Sequence, residues 1–160
     1  MQVLVTHPGR QHSHELARAL NDRNQLVEYW TGVPAADPAT RGPLYRLLAR
    51  LSPQPMLDLP GEAVRHNVVM PLVRRVAGTV FDAPRATDWR HRAAAWFDAW
   101  AARRLPKNLD AVVCYENGAC ATFRAAKEQG VTTILDAASF HHAWQDAFYE
   151  PVESDAVHRR

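Results

Sequence analysis

Three short segments place polar, potentially reactive side chains directly after apolar runs: His7-Pro8-Gly9-Arg10-Gln11-His12, Tyr115-Glu116-Asn117-Gly118, and Asp136-Ala137-Ala138-Ser139-Phe140-His141-His142. At the first, Gly9 lets the backbone approach a ligand closely, and the free amides of a following helix favour an anion. Arg10 adds a candidate bidentate contact to phosphate or carboxylate. The plainer alternative is a tight turn with Arg10 in solvent. Glu116 is a candidate base or ligand for a sugar hydroxyl, set against the reading of an ordinary loop carboxylate. A single histidine suits a proton shuttle or a hydrogen-bond donor to hydroxyls. His12 and His14 are two apart and His141 and His142 adjacent, so on a helix neither pair points one way, and no metal is expected. Ser139 lacks the G-x-S-x-G setting of a hydrolase nucleophile, and Cys120 has no neighbouring base. Neither G-x-G-x-x-G nor G-x-x-x-x-G-K-[ST] occurs, which argues against a dinucleotide site or a phosphate-binding loop of those kinds.

The elements that must carry these segments alternate. Gln2 to Thr6 reads as a strand, His14 to Arg23 as a helix capped by His12 or Ser13, and Leu26 to Thr31 as a second strand, the β-α-β signature. A Pro- and Gly-rich stretch from Pro34 to Pro60 follows, with a short helix expected around Leu44 to Leu51. Ala63 to Val69 reads as a weaker strand and Pro71 to Val80 as a helix. Asp88 to Leu105 gives a further helix, with Asp88 as its cap and Trp89, Ala93, Trp96, Phe97 and Trp100 at helical spacing. The last third repeats the opening: strand Asp110 to Tyr115, helix Ala119 to Gln129 closed by Gly130, strand Thr132 to Leu135, and a helix from about His141 to Phe148. Strands alternating with helices predict one α/β domain over 1–160, a Rossmann-like three-layer α/β/α unit with a mainly parallel sheet. In such a sheet ligands bind beyond the carboxyl ends of the strands, where all three polar segments fall.

Composition sets outer bounds. The 160 residues are 47% hydrophobic and 22% charged, a globular balance. The net charge of +2 gives no global reason to expect nucleic acid. The charge is uneven: from Arg41 to Lys107 there are 12 Lys and Arg against 5 Asp and Glu, and in the remainder 7 against 12. A basic middle third faces either solvent or an anionic partner such as lipid or a phosphorylated substrate. The Trp and Arg helix packs on the sheet in the simpler reading and lies on a membrane in the other. Cys114 and Cys120 lack zinc-clasp spacing and read as reduced thiols. No signal peptide and no run of ~20 apolar residues is present, so the expected location is cytoplasmic, with the inner membrane face as a peripheral alternative.

The opening His7-Pro8-Gly9-Arg10-Gln11-His12, with Glu15-Leu16-Ala17-Ala19-Leu20 after it, resembles the H-P-G-x-x-H-x-x-x-L-A-x-A-L pattern that begins certain family 4 glycosyltransferases. Tyr29-Trp30-Thr31-Gly32 resembles their second strand. Asp110 to Ala119, with Tyr115, Glu116, Asn117 and Gly118, is similar to their fourth-strand region, and Thr133 to Asp136 to the next strand. The resemblance covers most of the chain and is loose from Pro34 to Arg85. It implies the amino-terminal half of a GT-B enzyme that transfers a sugar from a nucleotide-sugar to an acceptor with retention of configuration. That half chiefly binds the acceptor, a sugar or lipid-linked molecule. A carboxy-terminal domain with an E-x7-E motif binds the donor, and neither that domain nor the motif is in these 160 residues.

On this reading the chain alone is not expected to complete the reaction, and it needs the nucleotide-sugar as co-substrate but no metal. Glu116 and His141 are the expected catalytic groups. His7, Gly9, Arg10, Gln11, His12, Tyr115, Asn117, Gly118 and Asp136 are the expected substrate contacts. Relatives often carry a histidine after the fourth strand, where this chain has Tyr115 and Glu116. The alternative is a complete, non-catalytic, flavodoxin-like binding or regulatory module. The two differ in apolar exposure, since a half-enzyme bares the face that its other half covers.

Overall fold

The computed structural model describes residues 1–9, 12–32, 43, 59–67 and 69–137, with the side chains at 70, 71, 74, 75 and 84 left aside. The expected helices at Leu44 to Leu51 and His141 to Phe148 lie outside the described residues.

Among the described residues, five parallel strands form one sheet: β1 (Val3–His7), β2 (Leu26–Thr31), β3 (Val64–His66), β4 (Ala111–Tyr115) and β5 (Thr132–Asp136), in the order β3-β2-β1-β4-β5. This is the Rossmann order and not the flavodoxin-like one, in which β3 would stand between β1 and β4. Helix α1 (Ser13–Asn21) covers one face; α2 (Val69–Val80), α3 (Ala83–Ala102) and α4 (Cys120–Glu128) belong to the other. The domain is therefore a three-layer α/β/α unit.

Strand alternation decides which side chain meets which layer. Val3, Val5, Tyr29, Val113 and Tyr115 pack beneath Leu16, Ala17 and Leu20 of α1. Leu4, Trp30, Val112 and Cys114 pack beneath Ala93, Phe97 and Ala101 of α3 and Ala126 of α4. Buried on both faces, β4 and the first three residues of β1 read as continuous apolar runs. Strand β3 is held to β2 in part by Glu28, which accepts hydrogen bonds from Trp30 Nε1 and from Arg65 Nη2.

Most element boundaries shift by a residue or two from the sequence reading, and two shifts have a cause in the hydrogen bonding. Helix α3 begins at Ala83, because Asp82 Oδ1 accepts the Arg85 N–H at 3.2 Å and Pro84 occupies the first turn; Asp88 lies inside the helix. Strand β3 is only three residues long, because Asn67 Oδ1 accepts the Val69 N–H at 3.2 Å and turns the chain into α2. The aromatic stripe on α3 also divides. Phe97 is buried on the sheet and Trp100 meets Trp30 edge-on at 5.4 Å, whereas Trp96 is 54% exposed.

Helix α4 has Ala119 at its N-cap, a residue with no side chain to offer the first amides. The cap comes from another helix. Asp98 of α3 is buried, and its carboxylate accepts the N–H groups of Ala121 at 2.6 Å and Thr122 at 2.9 Å, and the Thr122 hydroxyl at 2.6 Å. A buried carboxylate is tolerable only with such partners, and the positive end of the helix dipole favours it further. Asp98→Ala should cost about 3 kcal/mol in urea unfolding, since three buried donors lose a charged acceptor, and should speed hydrogen exchange at Ala121 and Thr122. A loss below about 1 kcal/mol would contradict this role.

Candidate functional site

In this strand order the connections from β1 and β4 run to opposite faces of the sheet, so the crevice between their carboxyl ends is the switch point where ligands settle in such folds. The residues singled out in the sequence converge on it. Pro8 follows β1, and its ring lies so close to Gly118 that a Cβ there would sit 3.1 Å from Pro8 Cδ. Glycine at 118 therefore allows the β1 and β4 turns to touch. Asn117, with φ of 66°, supplies the left-handed residue that this turn needs.

The β1 turn folds on itself. The Gly9 N–H donates to His7 Nδ1 at 2.7 Å, and the Thr31 hydroxyl donates to the Gly9 carbonyl at 3.0 Å. The Gly9 amide is thus engaged inside the turn, because the buried His7 ring curls back over it. His7 Nδ1 is an acceptor, which leaves the proton of the neutral ring on Nε2.

His12 stands at the N-cap of α1 without a side-chain cap, because its ring turns across the crevice to the end of β5. Its Nε2 donates to Asp136 Oδ2 at 2.9 Å. Both groups are partly exposed, so this is a solvated contact that becomes an ion pair when the ring is protonated. In the neutral ring, Nδ1 is then the basic nitrogen. Ser13, beside it, bonds instead to the Tyr29 hydroxyl at 2.8 Å.

Tyr115 lies under both histidines, edge-on to His7 at 4.8 Å and to His12 at 5.3 Å between ring centroids. It is fully buried and supports both histidine rings from below. Its hydroxyl lies beside Asp136 but in hydrogen-bonding geometry with no described residue. Burial, and then the Asp136 charge, push its pKa above the ordinary tyrosine value. Cys114, on the opposite face of β4, is likewise pushed up by burial and by the charge of Asp98, so its thiol is inert. Glu116 is half-buried and Asn117 exposed in the β4 turn.

The structure therefore brings together His7, Gly9, His12, Tyr115, Glu116, Asn117, Gly118 and Asp136. Arg10, Gln11 and His141 lie outside the described residues. The sequence reading placed His12 and Asp136 singly at two strand exits and did not pair them. The signal was available in the topology rule, which sets the exits of β1, β4 and β5 side by side. Among the described residues, no group of three or more His, Cys, Asp or Glu is placed to hold a metal ion, and no helix is long and apolar enough to cross a membrane. No protein-family model, curated protein or solved structure matches the chain.

The two raised pKa values give a pH test. Above about pH 8.5 for the thiol and about pH 10 for the phenol, the unfolded chain releases protons that the folded chain retains. Their stabilisation is therefore complete below pH 8.5 and declines as pH rises, by up to about 1.4 kcal/mol per pH unit for each group. Urea midpoints should fall from pH 8.5 upward in the parent protein. In Cys114→Ala they should stay level until about pH 10. Equal decline in both proteins would refute the shift at Cys114.

Proposed function

We propose that this chain is the acceptor-side, amino-terminal half of a retaining GT-B glycosyltransferase of the family 4 kind. The observation that carries the reading is the convergence of His7 to Gly9, His12, Tyr115 to Gly118 and Asp136 on the β1–β4 switch point. These segments carry the resemblance to that family.

Such a transfer needs a positioned acceptor hydroxyl and stabilisation of a leaving diphosphate more than it needs a strong base. The His12–Asp136 pair suits the first task. Asp136 fixes the imidazole, and Nδ1 accepts the hydrogen of the acceptor hydroxyl. Glu116 and Asn117, at the rim, add hydrogen bonds that orient the sugar. Arg10 and the α1 N-terminus remain the candidates for the diphosphate, which the partner domain would bring to the crevice.

The native gene product, detected in its own cells with an antibody to this domain, should run at roughly 40–45 kDa, two domains' worth. It should transfer label from a mixture of nucleotide-sugars. His12→Ala and Asp136→Asn should each lower that transfer by about 10²-fold, with unchanged far-ultraviolet circular dichroism. A native product of 18.0 kDa without transfer would overturn the proposal.

A further inference from the structure

The α2–α3 hairpin presents a surface that the switch-point site does not use. Along α2, Val69, Leu72, Val76 and Val80 recur at three- and four-residue spacing and are 57%, 48%, 49% and 66% exposed. Among the described side chains of α2, Val73 and Ala77, adjacent around the helix, are turned inward. The apolar arc of α2 is thus wider than the part that packs. Trp96 of α3 extends the arc, edge-on to Trp89, which in turn stacks on Phe81. Val69 and Trp96 also line a groove of about 330 Å³ with Val73, Phe97 and Trp100, together with the polar His66 and Asn67. A contiguous apolar surface of this kind in a protein is ordinarily covered by something.

The flanking charge says what covers it. From Val69 to Arg104 the sequence has seven arginines, three aspartates, and no lysine or glutamate. One of those aspartates, Asp98, is buried against the first turn of α4. Arg85, Arg90, Arg92, Arg103 and Arg104 are exposed. The Arg92 guanidinium lies over Trp89 at 5.7 Å and that of Arg104 over Trp100 at 5.4 Å. Indole beside guanidinium, next to an aliphatic stripe, matches the layered chemistry of a bilayer surface, where tryptophan sits at headgroup depth and arginine reaches lipid phosphate. A second copy docked by a two-fold axis would instead set two arginine-rich hairpins against each other.

We infer that the α2–α3 hairpin docks on an anionic lipid bilayer, with the α2 stripe and Trp96 entering the headgroup boundary and the arginines pairing with lipid phosphates. The sequence reading gave a membrane contact on the tryptophan face of α3 only as the alternative to packing on the sheet; the exposed stripe moves such a contact to α2. This inference stands independently of the glycosyl-transfer reading.

The test is flotation of the full chain with vesicles of phosphatidylcholine alone or with one-third phosphatidylglycerol, at low and high salt. The parent should partition at least about tenfold more strongly onto the anionic vesicles, and high salt should abolish the difference. Val76→Asp and Val80→Asp, at exposed positions, should keep the parent's circular dichroism and lose the flotation. Absence of binding to anionic vesicles, or equal flotation of parent and variants, would overturn the inference. So would vesicle-free dimerisation that Val76→Asp abolishes, which would assign the stripe to self-association.

Discussion

The Asp98 carboxylate at the start of α4 is the interaction on which the rest of the arrangement depends. It reaches from the buried face of α3 to the first amides of a helix whose own N-cap is alanine. That contact ties α4 to α3 and so fixes the turn from Tyr115 to Gly118 that leads into α4. Gly118 in turn rests on Pro8, and the β1 turn that follows positions His12 against Asp136. A carboxylate in the core on one face of the sheet thereby sets the geometry of a cleft on its edge. Buried charge is costly unless every lone pair has work, and here two amides and a hydroxyl supply it.

The cleft itself combines a packed base with a solvated rim. Tyr115, His7 and Gly9 are buried and occupied with one another, which makes the floor rigid. His12, Glu116, Asn117 and Asp136 are partly or fully exposed around it. Groups held from below but open above can bind a hydroxylic ligand without first rearranging, the condition under which positioning contributes most to a transfer reaction. The inert Cys114 and the buried phenol of Tyr115 leave His12 with Asp136 as the pair best suited to handle a proton.

Much of this was legible in the sequence where the signal is local. The apolar runs that begin at Val3 and Ala111, with Pro8 and Gly9 after the first and Gly118 after the second, mark strands and turns because pleat and turn chemistry act within a few residues. What escaped is non-local. Asp98 sits in a helix face that reads as hydrophobic, and its partners are 23 and 24 residues away. Two aspartates, Asp82 and Asp88, can each open α3 on cap preference alone; Pro84 in the first turn and the hydrogen bond at Arg85 favour the earlier one. His12 and Asp136 are 124 residues apart and meet only because the sheet order brings β5 beside β4. The α2 stripe shows in the periodicity, but periodicity cannot say which part of an apolar arc remains exposed.

The central claim, that the switch-point crevice is the acceptor side of a glycosyl-transfer site, is tested most directly by titrating the ¹⁵N-labelled chain with soluble alkyl glycosides and, separately, with UDP-glucose. Glycosides should shift the amides of His7 to Gly9, His12, Ser13, Glu116 to Gly118 and Asp136 in a saturable way, while UDP-glucose alone should bind weakly. Glycoside shifts scattered away from the crevice, or tight micromolar binding of UDP-glucose by this chain alone, would contradict the account.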